Sequence, residues 1–234
     1  MNITPICHAI KSWKKLIDTY RIDDDDDESC KKILRLLNQG SHFSVTASEI
    51  QQWTERLANA SNPLIHVYAG VDNEVFKLFL IDSVSDAAKD FSCIVTKEMD
   101  RDLPSFHTPD PQQVCTPISS ESAIYRNFMF NMYGHAWMAT QKENFFQVIS
   151  IPFEDYRNME LKNGQSCISF FGLTDGQSTS ASLDKYHIEI ITMKDLEINS
   201  ISSTAENCST PRPPFTAEDP VENYQLLQES HACI

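Results

Sequence analysis

Glycine is scarce in this chain, with only six glycines among 234 residues. The sequence contains no G-x-G-x-x-G, no G-x-x-x-x-G-K-[ST] and no G-x-S-x-G, the motifs that cradle phosphates or present a nucleophilic serine. Phosphate-binding loops rely on glycine because the backbone must approach the phosphate groups closely. We therefore expect no nucleotide cofactor and no nucleotide-dependent catalysis.

Long apolar runs and paired cysteines are also missing. No stretch of 18 apolar residues occurs, and the N-terminal residues lack the basic start and apolar core of a signal peptide. The seven cysteines are odd in number and contain no C-x-x-C pair, a pattern typical of free thiols in a reducing compartment. The sequence therefore predicts a cytoplasmic protein that does not bind membranes.

Basic residues are few, with 19 Lys and Arg against 33 Asp and Glu, which gives a net charge of −14 at pH 7. Nucleic acids and anionic membranes attract proteins largely through Lys and Arg. The charge therefore argues against both as main partners, and a basic protein partner or simple solubility fits it better.

The densest acidic segment is an unbroken run of six residues. It consists of Asp23, Asp24, Asp25, Asp26, Asp27 and Glu28. A calcium loop of the EF-hand type beginning at Asp23 would need glycine at position 28 and an acidic ligand at position 34, where the chain has Glu28 and Leu34. A D-D-x-x-D metal-diphosphate pattern is present, but any all-aspartate run contains it. We interpret the run as a solvated turn before a helix, with a partner-binding surface as the weaker alternative.

Three helices are predicted in the first 60 residues. Thr4 followed by Pro5 is typical of a helix start, and apolar residues then recur at helical spacing. Those expected to face the core are Ile6, Ile10, Trp13, Ile17 and Tyr20. A second helix is predicted from about residue 29 to Gly40. Thr46 and Glu49 fit a capping box at the start of a third helix, whose inward residues are Ile50, Trp53 and Leu57.

A β-hairpin is predicted from Leu64, where the apolar period changes from 3.6 to 2. A two-residue turn at Asp72-Asn73 pairs alternate residues so that six apolar side chains share one face. The pairs are Ala69 with Phe76, Val67 with Leu78, and Ile65 with Leu80. The opposite face, which includes His66, Tyr68 and Phe79, is apolar enough that we expect another element to cover it.

The remaining pattern completes an α+β fold. Further strands are predicted at 91–96, 145–151, 167–172 and 186–193, and a long helix begins at Ser119 or Ser120. Its expected buried stripe is Ile124, Phe128, Met132 and Trp137. The predicted architecture is a mainly antiparallel sheet of about six strands, with an N-terminal three-helix segment and one long helix inserted between strands.

Two regions are predicted along the chain. Residues 1–198 form a single α+β domain, helical over 1–60 and sheet-containing over 61–198. Residues 199–234 are rich in Pro, Ser and Thr and are predicted to be a tail. Within it, residues 220–229 could form a short helix, which would have to dock on its own domain or on a partner because it is too short to persist alone.

No spacing of histidines or cysteines indicates a metal or a catalytic nucleophile. His66, His135 and the His187/Glu189 pair could contribute ligands only if the fold assembled them, and we expect no metal site. Cys167 and His187 lie on neighbouring predicted strands and are the best candidates for a thiol and its base. Packing in the core is the preferred interpretation of Cys93 and Cys167.

A cluster of aromatic residues on the long helix is the best indication of a ligand or partner surface. It contains Tyr125, Phe128, Phe130, Tyr133, His135 and Trp137. These side chains cannot all point one way on a helix, so the helix should be covered on two sides. We interpret it as a central helix between the sheet and the N-terminal helices.

These observations predict a soluble, acidic, non-enzymatic protein that binds a basic protein partner. The alternative is an enzyme or small-molecule binder with a pocket assembled by the fold. Its candidate pocket residues are His66, Tyr68, His135 and Trp137, and its catalytic residues cannot be assigned from the sequence.

Overall fold

The computed structural model describes residues 3–22, 27–101, 118–141, 145–174, 186–193, 204–206, 209–212, 215–217 and 219–232. Over these residues the protein has an α+β fold with antiparallel sheets, which confirms the predicted fold class. The strands are divided between two five-stranded sheets, whereas a single sheet of about six strands was expected.

Seven α-helices and ten strands are present in the described part of the chain. The helices are α1 Thr4–Ile22, α2 Asp27–Leu37, α3 Ala47–Leu57, α4 Ser83–Ala87, α5 Ser120–Thr140, α6 Phe153–Arg157 and α7 Gln225–Ala232. The strands are β1 Phe43–Thr46, β2 Leu64–Asp72, β3 Val75–Asp82, β4 Val95–Glu98, β5 Ile118–Ser119, β6 Val148–Pro152, β7 Ser166–Thr174, β8 His187–Met193, β9 Thr204–Glu206 and β10 Thr210–Arg212. None of the helices described is long and apolar enough to cross a membrane.

The two sheets share one apolar core. Their strand orders are β1-β7-β8-β9-β5 and β10-β6-β2-β3-β4. Side chains from both sheets meet in the main core, where the rings of Phe76 on β3 and Phe171 on β7 lie 6.4 Å apart. The consecutive strands β6 and β7 belong to different sheets, because β6 pairs with β2 and β7 pairs with β1. These partners are distant in the chain, so local patterns could not separate the sheets.

The N-terminal helices α1 and α3 bury the residues that the sequence pattern predicts. All five predicted core residues of α1 are buried, as are the three of α3. The capping box is present: Thr46 Oγ1 accepts a hydrogen bond from the Glu49 amide at 3.3 Å, and a Glu49 carboxylate oxygen accepts one from the Thr46 amide at 2.8 Å. Strand β1, which leads directly into this cap, was not predicted.

The hairpin β2–β3 forms with a shifted register. Ala69 pairs with Leu78 and Val67 with Leu80, so each partner lies two residues beyond its predicted position. The turn consists of Asn73 and Glu74, and both have positive φ angles, 50° and 63°. Such angles at both central residues match the right-handed twist of a two-residue hairpin. Because the shift is two residues, the predicted apolar face is preserved and buried.

The predicted strand at 91–96 is also displaced. Residues Phe91–Cys93 form a short 3₁₀ turn, and the strand β4 begins at Val95. The Asp90 side chain accepts hydrogen bonds from the amide and hydroxyl of Ser92, which favours a turn over an extended chain at this point.

The region predicted as a tail contributes elements to the fold. Strand β10 pairs with β6, and β9 pairs with β8 and β5. A short 3₁₀ turn, Val221–Asn223, leads to α7, which packs against α1. Tyr224, Leu226 and Leu227 are buried in a second apolar cluster with Ile6 and Ile10. The face of the sheet opposite the main core is therefore covered, as expected, by helices from both ends of the described chain.

Candidate functional site

Helix α5 is fixed to the first sheet along one side. Ser119 caps its N-terminus by accepting a hydrogen bond from the Ser122 amide at 3.2 Å. The Asn127 side chain donates a hydrogen bond to the Phe171 carbonyl at 2.8 Å, and the rings of Phe130 and Phe171 lie 5.4 Å apart. Near the end of the helix, Trp137 is buried and its indole N–H bonds the Tyr186 carbonyl at 2.8 Å. These contacts leave the opposite side of α5 outside the core.

The inward side of α5 also holds a buried ion pair. Arg126 Nη1 lies 3.0 and 3.1 Å from the two carboxylate oxygens of Glu189 on β8, and both side chains are buried. Gly172 lies beside the pair, where an added Cβ would come within 2.6 Å of the Ile191 side chain. Because removing one partner of such a pair leaves a charge buried, the pair fixes which side of the helix faces the sheet.

The outward side of α5 is apolar and exposed, which contradicts the predicted stripe. Phe128 is 49% exposed, Met132 is 60% exposed and Tyr133 is 44% exposed. Only Trp137 among the four predicted stripe residues is fully buried, and Ile124 is partly buried. The helix is apolar on all sides, so periodicity could not identify the inward face. The expected packing between the sheet and the N-terminal helices is therefore wrong for this side of α5.

Five outward residues of α5 lie at heptad spacing, and Asn131, Tyr133 and Ala136 between them are exposed as well. Spacings of three and four residues connect Tyr125, Phe128, Met132, His135 and Ala139, all of which are partly or fully exposed. Between residues 122 and 140 the helix has no Asp, Glu or Lys, and its one arginine, Arg126, points inward. We call this surface the α5 seam. An uncharged apolar seam of this spacing is typical of helix-to-helix association.

A small hollow lies beside the α5 seam. Its volume is about 160 Å³. It is lined by Leu34, Leu37, Asn38, Phe130, Asn131, Gly134, His135 and Trp137. A cavity of about 150 Å³ with apolar walls is large enough for a benzene-sized group. The hollow has a comparable volume, but its walls also include the polar side chains Asn38, Asn131 and His135.

Two of the predicted pocket residues, His66 and Tyr68, lie together on β2 beside Asp86. His66 Nδ1 is 2.7 Å from an Asp86 carboxylate oxygen, and the Tyr68 hydroxyl donates a hydrogen bond to the same oxygen. The other Asp86 oxygen accepts a hydrogen bond from the Leu226 amide at 3.0 Å. Burial, followed by the charge of Asp86, raises the pKa of Tyr68 well above its usual range. All three side chains are buried, so this cluster has no open face.

Tyr224 connects the buried cluster to a second polar group. Its ring lies 4.7 Å from the His66 ring, and its hydroxyl is 2.8 Å from Ser150 Oγ and donates to Asp219 at 2.6 Å. Arg212 binds the same Asp219 carboxylate through two nitrogens, at 2.7 and 2.6 Å. Burial alone would raise the pKa of Asp219, but hydrogen bonds from Tyr224, Asn223 and Arg212 lower it below its usual value.

A shallow cleft of about 270 Å³ opens next to this second group. Its polar lining includes Ser150, Arg212, Asp219 and Asn223. Arg212 and Asn223 already bind Asp219, Ser150 is hydrogen bonded to Tyr224, and neither His66 nor Tyr68 lines the cleft. The network therefore holds the C-terminal segment on the sheet. We call the contacts of Asp86, Tyr224 and Asp219 the C-terminal latch.

His135 and Trp137 are not part of this cluster. His135 is exposed on α5, Trp137 is buried beneath it, and both line the hollow beside the α5 seam. The four predicted pocket residues are thus divided between two places. Asp86, Ser150, Tyr224 and Asp219 were not recognised from the sequence.

The predicted thiol and base are far apart. Cys167 lies at one end of the β7–β8 pair, whereas His187 pairs with Thr174 at the other end. Burial raises the pKa of Cys167 to about 12, so the thiol stays protonated at neutral pH. Cys93 is partly exposed, and its sulfur lies 3.5 Å from Asp90. No cluster of three metal-binding side chains occurs in the described ranges.

The acidic run lies only partly within the described residues. Residues 23–26 are outside them, while α2 begins at Asp27, so the last two acids of the run occupy its first turn. Glu28 is exposed and lies 3.7 Å from Lys31. Acidic groups at a helix N-terminus are favoured by the helix dipole.

Comparisons of the chain with known protein families, with curated proteins and with solved structures give no match.

Proposed function

We propose that this protein acts by binding another protein through the α5 seam, without catalysing a reaction. The observation that carries this proposal is the exposure of Phe128 and Met132 on a helix whose outward side has no charge. Burying a fully exposed Phe or Met side chain contributes about 1.5–3 kcal/mol, and about half of that surface remains to be buried on Phe128 and Met132. Contiguous exposed apolar surface is a common feature of interaction sites.

The proposed role of the α5 seam in binding is also supported by its position on a helix that the fold holds in place. The Arg126–Glu189 pair, the Asn127 hydrogen bond and the Phe130 contact hold the inward side of α5 against the sheet. A partner would therefore meet a preformed surface, with little loss of conformational entropy on binding.

The net charge of the chain supports a partner that is basic, because the acidic surface would attract it in addition to the apolar contact at the α5 seam. The charge of −14 is spread over the chain, because removing the six acids of the run still leaves −8. Electrostatic attraction of this kind speeds association and weakens as salt rises. A basic partner should therefore bind less tightly at moderate than at low ionic strength.

The alternative of an enzyme or small-molecule binder has less support. His66 and Tyr68 are buried and hydrogen bonded to Asp86. His135 and Trp137 lie elsewhere, at the hollow beside the α5 seam. The C-terminal latch uses its polar groups to hold the chain, which leaves little to orient a substrate.

Affinity capture with three forms of the protein tests the proposal. Met132→Glu places a charge in the α5 seam, whereas Val84→Glu places the same charge at another large apolar residue, 44% exposed on α4. We expect Met132→Glu to lose proteins that the unmodified chain retains, because a charge would be buried in the interface. Val84→Glu should retain them. Identical capture by all three forms would contradict a role for the seam.

A further inference from the structure

We infer that Asn163 is a site of spontaneous deamidation, in which the backbone amide nitrogen of Gly164 attacks the side-chain carboxamide of Asn163. The two residues form the turn that joins α6 to β7. The reaction is independent of the α5 seam, and the chain undergoes it without an enzyme.

The residue pair itself favours this reaction. Asn163-Gly164 is the one Asn-Gly pair in the sequence. The Gly164 nitrogen loses its proton and bonds to Asn163 Cγ, the bond from Cγ to the side-chain nitrogen breaks, and that nitrogen leaves as ammonia. Water then opens the five-membered succinimide at either carbonyl, which gives aspartate or isoaspartate. Glycine has no side chain to crowd the attack, and the two reacting groups are already adjacent in the chain.

The turn exposes both reacting residues to solvent. The Gln165 amide donates a hydrogen bond to the Lys162 carbonyl at 2.9 Å, which closes the turn, and the Lys162 amide donates one to the Gln165 side chain at 2.8 Å. Gly164 has a φ of 82°, as the third residue of a type II turn does. Asn163 and Gly164 are exposed, and a Cβ added to Gly164 would meet no atom within 4 Å. Ring closure therefore meets no neighbouring group.

The attacking nitrogen is free at this position and engaged at others. Within the described ranges, neither the Gly164 amide nor the Asn163 side chain makes a hydrogen bond. Four other asparagines are each followed by an amide that donates to a backbone carbonyl three residues earlier. The donors and acceptors are Gln39 to Leu36 after Asn38, Ala60 to Leu57 after Asn59, Met159 to Tyr156 after Asn158, and Tyr224 to Val221 after Asn223. Asn163 should therefore react first.

The products change the charge and the backbone at a cleft. Asn163 lines a cleft of about 450 Å³ between α3 and the residues that follow α6, together with Arg157 and Glu160. Either product adds one negative charge there. Isoaspartate also inserts a carbon atom into the backbone of the turn. Because the Gln165 carbonyl accepts a hydrogen bond from the Ala47 amide at 2.9 Å, a longer turn should loosen the start of α3 as well.

Incubation of the full chain for days at neutral pH, followed by sequencing of its peptides by mass spectrometry, tests the inference. Asn163 should deamidate at least about tenfold faster than Asn59, a barrier difference of about 1.4 kcal/mol. Asn59 is a matched internal control because it is also exposed in a turn. The rate at Asn163 should rise with pH, since the attacking nitrogen must lose its proton. Equal rates at the two asparagines, or an intact Asn163, would overturn the inference.

Two variants test the assigned nucleophile. Asn163→Gln should stay intact, because the longer side chain would have to close a six-membered ring. Gly164→Ala keeps Asn163 and adds a methyl group to the attacking residue, so deamidation should slow by about tenfold or more. The positive φ is unfavourable for alanine, so circular dichroism must show that this variant keeps the fold. Deamidation of a folded Gly164→Ala chain at the unmodified rate would contradict attack by this amide.

The melting temperature after incubation tests the consequence for the fold. The incubated unmodified chain should melt lower than the fresh chain, whereas incubated Asn163→Gln should melt as it does when fresh. Asn163→Asp reproduces the aspartate product without the backbone insertion and should melt close to the fresh unmodified chain. An unchanged melting temperature in a sample that is mainly isoaspartate would show that the turn tolerates the longer backbone, and would overturn the proposed loosening of α3.

Discussion

Asp86 is the residue of the C-terminal latch that binds both strand β2 and the segment around Leu226. Its carboxylate accepts hydrogen bonds from the Tyr68 hydroxyl and the Leu226 amide, and it contacts His66 Nδ1. It belongs to α4, close to the end of β3, and therefore joins the sheet, a short helix and the C-terminal segment. No local pattern in the sequence indicates this role, because His66 and Tyr68 on β2 and Leu226 in the C-terminal segment are far from Asp86 in the chain.

Replacing Asp86 tests the latch at the scale of one residue. Asp86→Ala leaves a buried histidine, a buried hydroxyl and a buried amide without their acceptor, and each unsatisfied group costs about 1–3 kcal/mol. We expect the free energy of unfolding to fall by about 3 kcal/mol or more, measured from urea denaturation. Asp86→Asn keeps one acceptor oxygen and should lose less. Equal, small losses for both variants would show that the latch contributes little to stability.

The four residues predicted to line a pocket show how far sequence reasoning reaches at the scale of single residues. His66 and Tyr68 were grouped because they lie on one face of a strand, and they do contact the same carboxylate. His135 and Trp137 were predicted to lie on the long helix and to join them in a pocket assembled by the fold, whereas the structure places those two at the hollow. Strand parity is a local property, whereas proximity between distant elements depends on the whole fold.

At the scale of elements, α5 illustrates the limit of periodicity. Its residues are apolar on all sides, and the inward side is selected by the sheet contacts of Arg126, Asn127 and Phe130. The capping box of α3 and the apolar face of the β2–β3 hairpin were predictable because they depend on neighbours in sequence. The division into two sheets was not, since it depends on pairings between distant strands.

Replacing each of two glycines by alanine tests how closely α5 packs against its surroundings. Gly134 lies in the interior of α5, and an added methyl group would meet only Phe130 at ordinary contact distance. Gly134→Ala should therefore stabilise the fold by about 0.5–1 kcal/mol through higher helix propensity. At Gly172 the added Cβ would come within 2.6 Å of Ile191 and 3.3 Å of Arg126 and Glu189.

We expect Gly172→Ala to lower the melting temperature, because the buried Ile191 side chain would have to shift and the contacts with Arg126 and Glu189 are already tight, and we expect Gly134→Ala to raise it. Thermal denaturation followed by circular dichroism measures both. A lower melting temperature for Gly134→Ala would mean that the surroundings of this glycine are more crowded than the contact distances indicate.

At the scale of the molecule, the latch links stability to pH. The pKa of Asp219 is lowered in the folded protein, so this residue contributes stability above its unfolded value of about 3.9. That contribution is lost as the pH falls through the folded value. We expect Asp219→Asn to be less stable than the unmodified protein at pH 7, and the difference in unfolding free energy to narrow towards pH 3.

Urea denaturation at a series of pH values between 7 and 3 measures this narrowing. Glu222→Gln, at an exposed position in the same segment, serves as the control because it removes an acid outside the latch. A difference between Asp219→Asn and the unmodified protein that stays constant down to pH 3 would contradict the assigned role of Asp219.

One face of the sheet is covered by α1 and α7, so this face is fully covered only after α7 has been synthesised. Tyr68, Phe79 and Ile81 on that face are buried against residues from both helices. During synthesis, the first helix and the hairpin leave the ribosome long before residues 219–232 exist. The nascent chain therefore carries an apolar face that stays partly open until these residues are made, a state in which binding by chaperones competes with aggregation.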